Sequence, residues 1–168
     1  NSYSDRVIEN YDRLVVLLDN EEFFLSYVNL ANFRLEARSE VTAFIVDSST
    51  LANAIGVNQM SPDYSSVMSL LLSKSSRILY IGGRIEENIE FIRKQNKLFP
   101  NKIHKGIHGY GVELNQYLLD VVNFSPDTII ISLGYDLQES LGSAIKNSGY
   151  NGKIICSGAF ISQESMAD

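Results

Sequence analysis

Two kinds of hydrophobic pattern alternate along the chain. Short, nearly uninterrupted apolar runs are typical of strands buried on both faces, whereas apolar residues that recur every three or four positions are typical of helices. The apolar runs predict strands at residues 23–28, 41–46, 77–81, 101–107, 128–133 and 153–156. The helical spacing predicts helices at residues 4–18, 30–38, 86–99, 112–124 and 137–147, with shorter ones that end at Gly56 and begin at Pro62.

The order of these elements predicts the fold class. Ser4 is the expected N-cap of the first helix, and Ser61 is the expected cap of the helix that begins at Pro62. Strands that alternate with helices through short glycine-containing loops favour right-handed crossovers and a mostly parallel sheet. The sequence therefore predicts one doubly wound, Rossmann-like α/β domain over residues 1–168, with helices on both faces of the sheet.

The charge balance narrows the range of partners. The chain has 168 residues and a formal net charge of -6, and its 14 basic residues are scattered along it. Nucleic acids and anionic membranes require a basic face, so neither is expected to bind through bulk charge. No apolar run approaches the roughly 20 residues of a membrane span, and the first residues do not resemble a signal peptide. We therefore expect a soluble, cytoplasmic protein without a transmembrane segment.

Neither the histidines nor the cysteine indicates a metal site. His104 and His108 are four residues apart, but Gly106 and Gly109 interrupt the helix that would bring them together, so no metal ion is expected. Cys156 is the only cysteine and lies in a predicted strand. It is therefore expected to be a core residue rather than a nucleophile.

Polar or glycine-rich loops follow five of the predicted strands. Because the carboxyl ends of parallel strands lie along one rim of a sheet, these loops are expected to converge on a shared ligand site. Their chemically distinctive residues are Asn29, Asp47, Gly82, Gly83, Arg84, His108, Tyr110, Gly134, Tyr135, Gln138 and Glu139.

Several of these candidates have a structural alternative. Asp47 ends a buried strand, where a carboxylate can take a proton from a hydroxyl nucleophile, but it can also cap the next helix. Gln138 and Glu139 either face a ligand or cap a helix. The Gly82-Gly83 pair either admits a diphosphate to backbone N–H groups or forms a tight turn. The sequence contains neither G-x-G-x-x-G nor a P-loop, which disfavours dinucleotide-binding and phosphoryl-transfer proteins.

Six short segments follow one another in a recognisable order: YVNLANFRLEAR, FIVDSS, LYIGG, IHGYG, LGYDLQE and SGAF. From Tyr27 onward, their order and spacing resemble the motifs of the WecG/TagA/CpsF family of bacterial glycosyltransferases. The family counterparts are a strand-Asn-helix opening, a strand ending in D-G, an apolar strand followed by G-G, an H-G-Y-F loop, an L-G-x-P-x-Q-E motif and a G-A-F segment.

The resemblance implies transfer of a sugar from a UDP-sugar to a lipid-linked saccharide acceptor in cell-surface polysaccharide synthesis, such as that of capsule or teichoic acid. The transfer would invert the anomeric centre, without a cofactor or a required metal, at the inner face of the membrane. Carried over to this sequence, Asp47 is the general base, Asn29 lines the acceptor side and Gln138 lies near the donor. The residues that would bind the nucleotide are Gly82, Gly83, Arg84, His108, Tyr110, Gly134, Tyr135 and Glu139.

Several positions depart from the family pattern. Ser48 replaces a glycine, no basic residue occurs near Gln59, Asp136 and Leu137 replace a proline and a lysine, and Ile161 replaces an acid. The sequence also has no counterpart of the family's basic C-terminal tail. Two interpretations therefore stay open. One is a glycosyltransferase that obtains basic groups from an extension, a second copy or a partner chain, and the other is a non-catalytic nucleotide-sugar-binding or partner subunit.

Overall fold

The computed structural model describes residues 3–62, 64–134 and 136–167. Its elements, in chain order, are α1 (Tyr11–Leu18), β1 (Phe23–Val28), β2 (Ala43–Val46), α2 (Ser49–Ile55), α3 (Tyr64–Ser73), β3 (Arg77–Gly82), α4 (Ile85–Leu98), β4 (Ile103–Ile107), α5 (Leu114–Phe124), β5 (Thr128–Ser132), α6 (Leu137–Asn147), β6 (Lys153–Cys156) and α7 (Phe160–Met166).

Each apolar run forms a strand, and the strands form one sheet in the order β2-β1-β6-β5-β3-β4. Every neighbouring pair is parallel. The centre of the sheet is the most apolar part, where Ile130 of β5 lies opposite Tyr80 of β3 and Ile155 of β6. The predicted parallel α/β architecture is confirmed.

Both faces of the sheet are buried because successive strand residues point to opposite sides. Ile129 and Ile131 of β5 belong to a core that also contains buried residues of α2, α5 and α6. Ile130, between them, belongs to a second core with buried residues of α1, α3, α4 and α7. This two-sided burial explains why the strands read as nearly continuous apolar runs. The prediction of helices on both faces is also confirmed.

The connections open a crevice at the carboxyl rim of the sheet. From β5 the chain passes through α6, on the first face, to β6. From the neighbouring β3 it passes through α4, on the second face, to β4. Adjacent strands whose connections diverge to opposite faces leave a gap between their ends, which is where open α/β sheets bind ligands. None of the described helices is long and apolar enough to cross a membrane.

The prediction of a helix at residues 30–38 is wrong. Residues 30–32 form a turn and the rest of the segment is irregular. The turn is held by Asn29, whose Oδ1 accepts a 2.9 Å hydrogen bond from the backbone N–H of Ala31. Leu30 and Leu35 are 63% and 94% exposed, so the segment has no continuous apolar stripe to bury. Helices of this length depend on such a stripe, which is why the pattern failed here.

The first helix also begins later than predicted. It starts at Tyr11 and is capped by Asn10 rather than by Ser4. Val7 instead forms a parallel bridge with Phe44 of β2. The residues before Asn10 thus cover part of the β2 edge, although their apolar side chains continue the helical spacing of α1.

The helix expected from Pro62 begins at Tyr64, so the prediction that Pro62 is its first residue is wrong. The Ser61 hydroxyl donates a hydrogen bond to the Asp47 carboxylate. Residue 63 lies outside the described residues. The other predicted elements agree with the structure to within two residues at each end.

Candidate functional site

The crevice at the carboxyl rim contains two chambers that share a wall. Their volumes are about 400 Å³ and about 410 Å³. We name them by their distinguishing residues: the acid chamber is lined by Asn29, Asp47 and Ser61, and the glycine chamber by Gly83, Gly109, Tyr110 and Gly134. Tyr27, Gly158 and Ala159 line both chambers. Residues from the ends of all six strands therefore meet around one crevice.

The shared wall depends on close packing between Tyr27 and Gly158. Gly158 has a φ of +61°, and a Cβ at this position would lie 2.6 Å from the Tyr27 hydroxyl oxygen. Gln138 stands behind the wall, where its Oε1 accepts a 3.0 Å hydrogen bond from the backbone N–H of Gly158. Burial raises the pKa of Tyr27, whose hydroxyl also hydrogen-bonds the Gln138 side chain. Gln138 is 1% exposed, so it supports the wall and does not line either chamber.

Asp47 is an exposed carboxylate on the wall of the acid chamber. Its backbone N–H donates a 2.8 Å hydrogen bond to the carbonyl of Val28, which fixes its position at the end of β2. The N-cap of α2 is Ser48, whose hydroxyl accepts a 3.2 Å hydrogen bond from the Leu51 N–H. Asp47 therefore does not cap this helix. Its carboxylate accepts a hydrogen bond from the Ser61 hydroxyl. It is also placed to take up a proton from a ligand in the chamber.

Asn29 lines the acid chamber from the end of β1. Its Oδ1 accepts hydrogen bonds from the backbone N–H groups of Ala31 and Asn32, at 2.9 and 3.3 Å. An amide oxygen has two lone pairs, so both are used within this turn. The side-chain N–H groups are the donors that Asn29 has for a ligand.

The glycine chamber is built on a turn that only glycine can form. Gly82 and Gly83 have φ values of +137° and +73°. A Cβ on Gly82 would lie 1.9 Å from the backbone oxygen of Ser132, on the neighbouring β5. The Gly83 carbonyl accepts a 2.9 Å hydrogen bond from the Gly109 N–H, which joins the loops after β3 and β4. Gly83 lines the chamber, and Gly82 is buried behind it.

Sequence reasoning missed Asn88, which holds this turn. Its side-chain nitrogen donates to the carbonyl oxygens of Gly82 and Ile107, at 2.8 and 3.2 Å. These two residues end the neighbouring strands β3 and β4, so Asn88 fixes their separation. The available signal was its position in the buried stripe of α4 with Phe91 and Gln95, where a polar residue requires partners.

Other predicted site residues lie outside the chambers. Arg84 is exposed at the N-cap of α4, and His108 precedes the two loop residues that line the glycine chamber. Glu139 is buried, and its Oε2 accepts a 3.1 Å hydrogen bond from the Ser26 hydroxyl. Tyr135 lies outside the described residues.

The described residues that line the two chambers make an acidic surface. Only Asp47 and Glu164 among them carry a charge. The surrounding field is therefore unfavourable to a diphosphate unless backbone N–H groups or nearby cations offset it.

The described part of the chain contains no group of three or more His, Cys, Asp or Glu residues that could hold a metal ion. His104 is held in β4 by two hydrogen bonds of 2.9 Å. Its Nδ1 bonds to the Tyr80 hydroxyl, and its Nε2 bonds to the Phe99 carbonyl. Burial lowers the pKa of His104. Cys156 is fully buried in β6, as predicted, and burial raises the pKa of its thiol.

A comparison of the sequence with known protein families found no matching family, and a comparison with characterised proteins found no match.

Proposed function

We propose that the chain is a glycosyltransferase that binds a UDP-sugar across the two chambers and transfers the sugar to a lipid-linked saccharide acceptor. The observation that carries this proposal is the wall of Tyr27, Gly158 and Ala159, which belongs both to a glycine-lined chamber and to a chamber that contains the Asp47 carboxylate. A nucleotide in the first chamber would present its sugar to the second. The proposal also rests on the ordered resemblance of the sequence motifs to glycosyltransferases.

The glycine chamber has the features that a nucleotide requires. Gly83 and Gly134 allow a ligand to approach the backbone closely, and no Cβ narrows the chamber at either residue. Tyr110 is 66% exposed in the same lining and offers an aromatic face to a base. We therefore assign this chamber to the nucleoside and diphosphate of the donor.

The acid chamber is assigned to the sugar and the acceptor. As the acceptor hydroxyl oxygen bonds to the anomeric carbon, its proton passes to the Asp47 carboxylate. The bond between the anomeric carbon and the phosphate oxygen breaks, and UDP leaves with that electron pair. Attack from the side opposite the leaving group inverts the anomeric centre. The amide N–H groups of Asn29 are suited to orienting a sugar hydroxyl in the same chamber.

The acidic lining favours a second candidate function, nucleotide-sugar binding without transfer. Negative charge that develops on a departing diphosphate is usually met by cations or preorganised N–H donors, each of which contributes about 3 kcal/mol. Asp47 and Glu164 are the charged residues among the described lining, and both are negative, so they do not stabilise the departing diphosphate. In the first candidate, by contrast, a partner chain or second copy would supply the basic groups for catalysis.

Calorimetric titration with UDP and a panel of UDP-sugars, combined with a transfer assay on a polyprenyl-diphosphate-linked acceptor, tests both candidates. Saturable micromolar binding with transfer supports the glycosyltransferase, and binding without transfer supports the second candidate. A chain that binds no nucleotide contradicts both. Gly134→Tyr provides the site control, because a Cβ at Gly134 meets no atom within 4 Å while the ring would fill the glycine chamber.

A further inference from the structure

The irregular segment between β1 and β2 places two arginines on the first turn of α6. Arg34 forms an ion pair with Asp136, which immediately precedes that helix. Arg38 donates a 2.8 Å hydrogen bond from Nη2 to the Ser140 hydroxyl, and its Nε lies 3.7 Å from Oε1 of Glu139. This segment thus brings cations to the rim of a crevice whose described lining has none.

Of the two, Arg34 lies beside the glycine chamber. Its partner Asp136 lies directly before Leu137 and two positions after Gly134. Both Leu137 and Gly134 line the chamber. The side chains of Arg34 and Asp136 are 30% and 67% exposed, so the pair is open to solvent. Arg38 faces Glu139, whose side chain is only 12% exposed.

The Asp136 carboxylate makes no capping hydrogen bond with α6. Its backbone has a φ of +69°, a conformation that non-glycine residues seldom adopt. Among the described residues, Arg34 is the side-chain partner that the structure gives to this carboxylate.

We propose that Arg34 binds the diphosphate of a nucleotide in the glycine chamber, and that Asp136 holds the guanidinium in place while the chamber is empty. The inference rests on the proposed function and names the charged group of its donor site. The planar guanidinium can give two parallel hydrogen bonds to phosphate oxygens, as it can to a carboxylate, so the diphosphate would replace Asp136 as its partner. Asp136 then acts as a competitor that weakens binding of the diphosphate but not of the nucleoside.

The test compares UDP with uridine by calorimetry on three variants. Arg34→Gln should weaken UDP binding about tenfold and leave uridine binding unchanged, since only the charged hydrogen bonds are removed. Asp136→Asn should tighten UDP binding several-fold, because it removes the competing charge, and asparagine tolerates a positive φ. The double variant should lose the gain in UDP affinity that Asp136→Asn produces alone. A gain of affinity cannot come from misfolding, which makes Asp136→Asn the more informative single change.

The matched control is the ion pair between Arg93 and Glu90 on α4, which is exposed and lines neither chamber. Arg93→Gln and Glu90→Gln should leave both affinities unchanged. If the parent binds UDP and Arg34→Gln binds it equally well, this inference is wrong while the proposed function stands. If the parent binds neither UDP nor uridine, the proposed function fails and the inference fails with it.

Discussion

The backbone N–H of Gly158 donates a 3.0 Å hydrogen bond to Oε1 of Gln138. Gln138 lies at the start of α6, after β5, and Gly158 lies in the loop after β6. The bond therefore ties together the ends of two central strands and sets the position of the wall between the two chambers. A side chain that the sequence presents as a ligand contact instead shapes the site from behind.

Gln138→Met should lower the free energy of unfolding by about 1–3 kcal/mol, because a buried hydrogen bond is lost while the side-chain volume is nearly kept. UDP should also bind more weakly, since the Gly158 loop is released from its partner. Urea unfolding and calorimetry measure the two effects. The control is Gln116→Met, an exposed change on α5 that should alter neither. Unchanged stability in Gln138→Met would show that the bond does not hold the wall.

Gly82→Ala should destabilise the fold by at least about 2 kcal/mol, because the new Cβ would overlap the Ser132 backbone and the residue would be held at a positive φ. Gly134→Ala should be nearly neutral, since its Cβ meets no atom within 4 Å. Thermal and urea unfolding of the two variants test the difference. Equal stability of both would mean that the strands β3 and β5 separate easily at this rim.

The sheet could be predicted from the sequence because burial on both faces leaves an unmistakable apolar run in each strand. The run at residues 128–133 supplies Ile129, Ile130 and Ile131, which are fully buried in two different cores. The segment at residues 30–38 could not be predicted, since its conformation depends on a side-chain turn at Asn29 and on arginine contacts with a distant helix. Such contacts leave no periodic signal.

The candidate site was predictable only in outline. Parallel topology places the loops on one rim, and Asn29, Asp47 and Gly134 do line the crevice. The sequence did not reveal Tyr27 as a shared wall, because a tyrosine within an apolar strand looks like an ordinary core residue. Nor could it show that Glu139 turns toward Ser26, since the direction of a side chain on the first turn of a helix depends on tertiary packing.

Asp47→Asn should reduce sugar transfer by roughly 100-fold or more, since asparagine cannot accept the acceptor's proton. Stability and UDP affinity should remain close to the parent's because Ser48 provides the helix cap. The complementary change, Ser48→Ala, should cost about 1 kcal/mol of stability and leave transfer largely intact. Transfer by Asp47→Asn within a few-fold of the parent would reject its role as the base.

His104 should make the protein less stable as the pH falls below about 6.5. Burial lowers the pKa of the folded-state imidazole below its ordinary value, with a further contribution from nearby Lys102. The unfolded chain therefore takes up the extra proton first, so acid favours unfolding. His104→Gln should reduce the change in unfolding free energy between pH 5 and pH 7. This pH range lies above the pKa values of most carboxyl groups. His108→Gln, which removes the other histidine, is the control. An identical slope in His104→Gln and the parent would refute the assignment.

Leu137→Lys should convert the acidic crevice into a better nucleotide site. Leu137 is 66% exposed and lines the glycine chamber, so a lysine there can reach a bound diphosphate without disturbing the core. The added charge should contribute about 1 kcal/mol, or about fivefold in Kd, and the gain should shrink as salt is added. Leu98→Lys adds the same charge at an equally exposed leucine, about 20 Å along α4 from its first residue, and should leave UDP affinity unchanged.

The same variant tests whether missing positive charge limits transfer. We expect the parent chain to bind a UDP-sugar but to transfer it slowly, because the charges of the described lining oppose the departing diphosphate. If so, Leu137→Lys should raise the transfer rate by more than it raises affinity, since the leaving group gains negative charge in the transition state. Rapid transfer by the parent would show that backbone N–H groups or Arg34 already stabilise the leaving group. Tighter binding by Leu137→Lys without faster transfer would instead favour the chain as a nucleotide-sugar-binding subunit.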